Sequence, residues 1–150
     1  MIIIGYQGIG KSTLAGRDKF IDLESGNFWV DGKRAEDWYR PYCQIAEHLS
    51  AQGFTVFTSS HEVVRKQLRD SKEKVFVAFP SLELKDCWLE KLKLRWEETQ
   101  LDKDYKAYMN ALDRYEDNIK ELMEEEFDKI IIDDENYSLM NKVLEVRYKR

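Results

Sequence analysis

Residues Gly5 to Ser12 read G-Y-Q-G-I-G-K-S. A glycine, four residues, then Gly-Lys-Ser is the spacing of a phosphate-binding loop. Each part has a physical task. The glycines admit backbone dihedrals that a side chain forbids, so successive amide N–H groups can turn inward around an anion. The anion this suits is the β-phosphate of a nucleotide, helped by the positive end of a following helix. Lys11 would reach the β- and γ-phosphates, and the Ser12 hydroxyl would sit on Mg²⁺. Gly5, Gly8, Ile9, Gly10, Lys11, Ser12 and Thr13 are thus the expected nucleotide-binding set. At a glycine usage of ~7%, such a pattern arises by chance in roughly one chain of this length in a few hundred.

Other residues offer chemistry to go with a bound polyphosphate. Asp22 and Glu24 follow the short apolar pair Phe20-Ile21, which reads as a strand, and ligands in open α/β sheets bind beyond strand carboxyl ends. A carboxylate at Asp22 can hold a Mg²⁺-bound water or accept a proton from an attacking hydroxyl, with capping of a turn as the plain alternative. Arg34, Arg40 and Arg65 are candidates to grip an acceptor, although such arginines are often solvated surface. Ser59, Ser60 and His61 end another strand and could face the phosphates, while Ser59-x-x-Glu62 also fits a capping box. Asp133 and Asp134 tempt as metal ligands, but are better read as capping the next helix. A guanine-reading Asn-Lys-x-Asp is missing; the nearest match, Asn141-Lys142-Val143-Leu144, lacks the Asp.

The elements that must position these residues follow from apolar periodicity. Strands are expected at 1–4, at Phe20-Ile21, at 54–58, at 75–79 and at 130–132. The first helix starts near Lys11 and is stopped early by Gly16. Residues 25–37 read as a loop, after which Asp37 is expected to cap a helix carrying Trp38, Tyr42, Ile45, Ala46 and Leu49 and ended by Gly53. A helix with Val63, Val64 and Leu68 follows, then one over about 83–98 with Leu84, Trp88, Leu89, Leu92 and Trp96 on one side. A long helix from Asp102 to about Glu125 carries the stripe Tyr105, Tyr108, Met109, Leu112, Tyr115, Ile119, Leu122 and Met123, expected as core. A last helix takes Tyr137, Met140, Val143, Leu144 and Tyr148.

Composition sets the class. The 150 residues, 43% hydrophobic and 35% charged, fit one globular domain with a substantial core. A net charge of −5 argues against a sequence-independent grip on nucleic acid; no sequence-specific nucleic-acid partner is expected either. Cys43 and Cys87 have no metal or redox spacing, so reduced thiols are expected. No signal peptide is expected, and no apolar stretch nears the ~20 residues of a membrane span. The expectation is a cytoplasmic protein, monomeric or homodimeric, with no membrane partner.

Strands alternating with helices, with the glycine loop after the first, imply a three-layer α/β/α fold around a five-stranded parallel sheet. With G-Y-Q-G-I-G-K-S, and more weakly I-D-L-E-S, the chain resembles the P-loop kinases of the nucleoside-monophosphate-kinase and shikimate- or gluconate-kinase type. The resemblance implies a P-loop NTPase fold of strand order 2-3-1-4-5, with ATP as donor and Mg²⁺ as cofactor. It also implies an acceptor site after the second strand and a helical lid, about 82–126, closing over ATP. Lys91 and Arg95, with Arg114, stand in that lid region, and Arg95 or Arg114 would stabilise the charge that develops in transfer. The Asp-Gly-x-Pro-Arg run of adenylate-kinase relatives is replaced by Thr58-Ser59-Ser60-His61, and no tightly spaced arginine pair marks the lid. These departures suggest a divergent branch, of the sort carried by bacteriophages or their hosts. The implied activity is phosphoryl transfer to a small acceptor, a nucleotide or nucleoside first. A kinase for another small metabolite, or an ATP-hydrolysing protein without an acceptor, are the alternatives.

Overall fold

The computed structural model describes residues 1–17, 19–30 and 33–148. Its centre is the run Ile2-Ile3-Ile4, in which all three side chains are fully buried. Consecutive side chains of a strand point to opposite faces, so β1 (Ile2–Gly5) is covered on both sides, as a central parallel strand must be. Each such isoleucine contributes roughly 2 kcal/mol by leaving water.

Around β1 lie β2 (Phe20–Asp22), β5 (Thr55–Thr58), β6 (Val75–Pro80) and β7 (Asp128–Ile132), all parallel, in the order β2-β5-β1-β6-β7. The register pairs Ile3 with Phe57 on one side and with Phe76 on the other. The expected numbering 2-3-1-4-5 does not stand as written, because two further strands fall between the second and third of that count. These are β3 (Trp29–Val30) and β4 (Lys33–Arg34), which pair antiparallel in a separate two-stranded sheet. Residues 25–37 are therefore not a plain loop: a 3₁₀ turn at Ser25–Phe28 leads into this hairpin. Residues 31 and 32 lie outside the described residues.

The helices are α1 (Lys11–Leu14), α2 (Tyr39–Ala51), α3 (Glu62–Leu68), α4 (Lys85–Thr99), α5 (Asp102–Glu124) and α6 (Leu139–Arg147). α2 packs on β5 and α3, and α5 packs on β6 and α4. Several local expectations change. Trp38 rather than Asp37 is the N-cap of α2, and no side chain caps it. Ile45 is exposed, whereas Cys43 is buried, so the apolar face is turned by part of a turn. His61 is the N-cap position of α3, with no side-chain cap bond, so Ser59 stands too early for the Ser59–Glu62 capping box, and its hydroxyl lies against His61 instead. Asp134 caps a turn by accepting from the Asn136 amide, and Ser138, not an aspartate, accepts from Asn141 at the start of α6.

In α5 only part of the expected stripe is core. Tyr115, Ile119 and Leu122 are buried, but Tyr105, Met109, Leu112 and Met123 are exposed. The buried face, Asp104, Tyr108, Ala111, Tyr115, Ile119 and Leu122, keeps helical spacing along the whole of α5, and the exposed members of the stripe lie on its flank. Separately, Arg114 leaves helical geometry (φ −132°, ψ 19°) and kinks the helix. Asn118 donates to Asn110 across the kink at 2.8 Å. Residues eight apart in a straight helix are about 12 Å apart along the axis, so this bond needs the bend.

Glu125 ties the end of α5 to α3. It accepts from Arg65 at 2.9 Å and from Arg69 at 2.6 Å, with Arg65 and Glu125 both buried. Burial alone would raise the Glu125 pKa, but hydrogen bonds and charge from Arg69 and Arg65 outweigh it and hold the carboxyl below its ordinary range. Glu125→Leu leaves the buried Arg65 charge with the half-exposed Glu121 as its one carboxylate among the described residues, and is expected to cost about 3 kcal/mol in urea unfolding. Because the folded pKa is depressed, this stabilisation is present above the ordinary value of 4.5 and is lost as pH falls through the folded one. A variant of parental stability at pH 7 contradicts this.

Candidate functional site

The chain leaves the sheet at the carboxyl end of β1 and enters the glycine loop. Gly8 (φ 87°) and Gly10 (φ 103°) take left-handed backbone on either side of Ile9, which does not. Alternating hand turns successive amides to one side, the arrangement of an anion-binding nest. The amides of Gln7, Gly8, Ile9, Gly10, Lys11 and Ser12 donate to no described residue. The first amides of any helix lack an intrahelical partner, which accounts for Gly10, Lys11 and Ser12; with Gln7, Gly8 and Ile9 before them they form a continuous row of unspent donors at the carboxyl end of the central strand.

Two glycines leave no room for a side chain. A Cβ on Gly5 would lie 2.7 Å from Ile9 Cδ1 and 3.0 Å from Lys11 Cδ, because the Lys11 stem folds back over the end of β1. On Gly8 it would meet Leu92 Cδ2 at 3.0 Å and Trp88 Nε1 at 3.1 Å, on a backbone that already disfavours L side chains. Gly8→Ala is expected to lose about 1–3 kcal/mol from strain and overpacking, read by chemical denaturation. A neutral substitution would mean that the loop is free to move.

Lys11 is partly buried and forms no ion pair with a described residue. Burial lowers its pKa, the charges of Asp22 and Glu24 pull it back up, and Arg95 lowers it again. A desolvated ammonium without a close counter-ion is costly, and suits a site that awaits an anion. Asp22, at the end of β2, has its pKa raised by burial; Lys11 opposes this, while Glu24 adds to it by charge and by hydrogen bonding. Ser12 and Thr13 are exposed. No group of three or more His, Cys, Asp or Glu side chains among the described residues is placed to hold a metal by itself. A Ser12–Asp22 pair asks for less, since Mg²⁺ on phosphate takes one or two protein ligands and fills its shell with phosphate oxygens and waters.

Beside the loop is a cavity of about 460 Å³, lined by Gln7, Lys11, His61, Asn110, Arg114 and Asn118 among others. The Gln7 side-chain Nε2 donates to Ala107 O and Asn110 Oδ1 at 3.1 and 3.3 Å. Among the described residues the buried Tyr6 hydroxyl has no partner at full hydrogen-bond geometry, with Gln7 and Asn118 beside it. His61 sits 2.8 Å from the Ser59 hydroxyl and edge-on to Trp38. Burial, then Arg34, Lys11 and Arg65, lower the His61 pKa, which keeps its ring neutral near pH 7.

The expected arginines divide. Arg114 lines the cavity and lies 3.5 Å from Glu121. Arg65 also lines it, but its guanidinium is committed to Glu125, Glu121 and Ser60 O, which makes it a brace between α3 and α5. Arg95 pairs with Asp104 at 3.3 Å and is near enough to act on Lys11. Arg34 lies over the Trp38 ring at 4.2 Å, and Arg40 is exposed against Tyr39. Glu24 is exposed beside Asp22. Asp133 is 3.8 Å from Lys142, away from the cavity lining.

Tyr6, Gln7, Asn110 and Asn118 escaped the sequence reading. Asn110, Arg114 and Asn118 recur every four residues on α5, a polar stripe beside the apolar one, and that spacing was the available signal. Gln7 stands at a variable position of the loop and gave none.

No family model, curated protein or solved structure matches this chain, so the site stands on its own geometry.

Proposed function

We propose that this chain is a P-loop phosphotransferase, with a three-layer P-loop NTPase fold, that moves the γ-phosphoryl group of ATP to a small acceptor. The observation that carries the reading is the row of unspent loop amides at the carboxyl end of the central strand, beside the half-buried Lys11. The amides and Lys11 bind the polyphosphate and hold its γ-phosphate toward the cavity. Ser12 and Asp22 would hold Mg²⁺, which supplies further charge neutralisation when bound. An acceptor oxygen forms the new bond to the γ-phosphorus as the bond to the β–γ bridging oxygen breaks and ADP leaves. The acceptor's proton passes to Asp22. Arg114, and Arg95 if the 82–126 region closes as a lid, would balance charge on the transferring group. The free cysteines Cys43 and Cys87 fit a reducing, cytoplasmic setting; no helix among the described residues is long and apolar enough to cross a membrane.

The amide-rich cavity favours an acceptor with a nucleobase, a nucleotide or nucleoside, over a sugar acid. The test is ATP turnover with Mg²⁺ against a panel of nucleoside monophosphates, nucleosides and sugar acids. At least ~10-fold stimulation by one nucleotide or nucleoside, with a phosphorylated product, is expected. Transfer to a sugar acid alone would contradict the choice of acceptor, and stimulation by nothing would contradict the kinase reading.

A further inference from the structure

Trp88 and Tyr137 reach the glycine loop from outside it, and nothing in the phosphate chemistry above uses them. Trp88, fully buried on α4, donates its indole N–H to Gln7 O at 2.8 Å. Tyr137, between β7 and α6, donates its hydroxyl to Ile9 O at 2.7 Å. The two rings stack with centroids 5.9 Å apart and planes 24° apart. Lys91 lies 4.4 Å over the Trp88 ring and donates to the Tyr137 oxygen at 2.9 Å. Donation from a cation polarises the Tyr137 O–H and strengthens its own bond to Ile9 O.

The consequence follows from peptide geometry. In a planar trans peptide the carbonyl of one residue and the N–H of the next point in opposite directions. Fixing Gln7 C=O toward Trp88 therefore aims the Gly8 N–H away from Trp88. Fixing Ile9 C=O toward Tyr137 aims the Gly10 N–H away from Tyr137. Without these bonds the two peptides could turn over, because glycine offers little steric resistance. A flipped peptide would present a carbonyl oxygen, which repels phosphate.

We infer that Trp88 and Tyr137 are positioning residues that lock the Gly8 and Gly10 amides in the phosphate-binding orientation, with Lys91 bracing the second lock. The inference rests on the phosphate-loop reading above. It also makes the start of α4 a fixed support of the loop, so any closure of the 82–126 region must pivot beyond Trp88.

The experiment uses the full chain, labelled with ¹⁵N, titrated with magnesium tripolyphosphate, which has no base or sugar. In the parent, both Gly8 and Gly10 amides are expected to shift on binding. Tyr137→Phe keeps the ring and loses the hydroxyl; it should weaken binding about five- to tenfold, the worth of one hydrogen bond, and diminish the Gly10 shift while sparing Gly8. Trp88→Phe should do the reverse, and thermal unfolding of each variant shows whether it is folded. Because Trp88 is deep in the core, Tyr137→Phe decides if Trp88→Phe does not fold. A general loss of packing would change both amides together. Parental affinity with both shifts intact in Tyr137→Phe overturns the inference. A parent that does not bind tripolyphosphate at all overturns the phosphate-loop reading, and the lock falls with it.

Discussion

Lys11→Ala is expected to lower phosphoryl transfer by about 1,000-fold, the upper range for removing one preorganised charge-stabilising group, while the protein stays folded. Both halves come from one observation. Burial pulls the Lys11 pKa below its ordinary value of 10.5, and Asp22 and Glu24 recover only part of that. For a base, a depressed folded pKa means that the charged form costs stability at every pH below the folded value. The cost fades as pH rises through the window up to 10.5. At pH 7 the alanine variant should therefore show a thermal midpoint no lower than the parent. A variant that keeps its turnover removes Lys11 from the chemistry. One that loses both turnover and fold makes it a structural residue.

The second large effect is expected at Asp22. Asp22→Asn keeps shape and hydrogen bonding but removes the proton acceptor, and should slow transfer by at least ~100-fold. Its pKa stands above the ordinary 3.8, raised by burial and by Glu24 against the pull of Lys11. The parent should thus gain activity as pH rises through that raised value, and the asparagine variant should lose this limb of the profile. The sign for stability is the opposite of Glu125. A carboxyl with a raised folded pKa binds its proton more tightly in the fold, so ionising it costs stability as pH rises from 3.8 through the folded value. Asp22→Asn should be the more stable protein above that window. A loss under tenfold with an unchanged pH profile would reduce Asp22 to a turn-capping residue.

Parts of this were legible in the chain. The all-apolar Ile2-Ile3-Ile4 and Val75-Phe76-Val77-Ala78-Phe79 runs mark strands covered on both faces, and their positions in the sheet follow. The glycine spacing marked the loop, and strand-end logic marked Asp22. The hairpin at 29–34 was not legible, because two-residue strands carry no periodicity. The α5 stripe misled because it was drawn too wide: Asp104, Ala111, Tyr115, Ile119 and Leu122 keep one buried face along the helix, and Tyr105, Met109 and Leu112 lie beside it. Trp88 and Tyr137 read as ordinary apolar helix positions, although Tyr137 precedes α6 (Leu139–Arg147) rather than lying on it. Their polar ends matter here, and which carbonyl a buried indole or phenol finds is decided across 81 and 128 residues of chain.

The central claim is that main-chain amides from Gly8 to Ser12, with Lys11, hold a polyphosphate. Calorimetric titration of the full chain with a magnesium complex of a non-hydrolysable ATP analogue tests it most directly. One site per chain with a dissociation constant below about 1 mM, weakened at least ~100-fold in Lys11→Ala, is the result this account predicts. No heat of binding at millimolar analogue, or equal affinity in parent and variant, would contradict it.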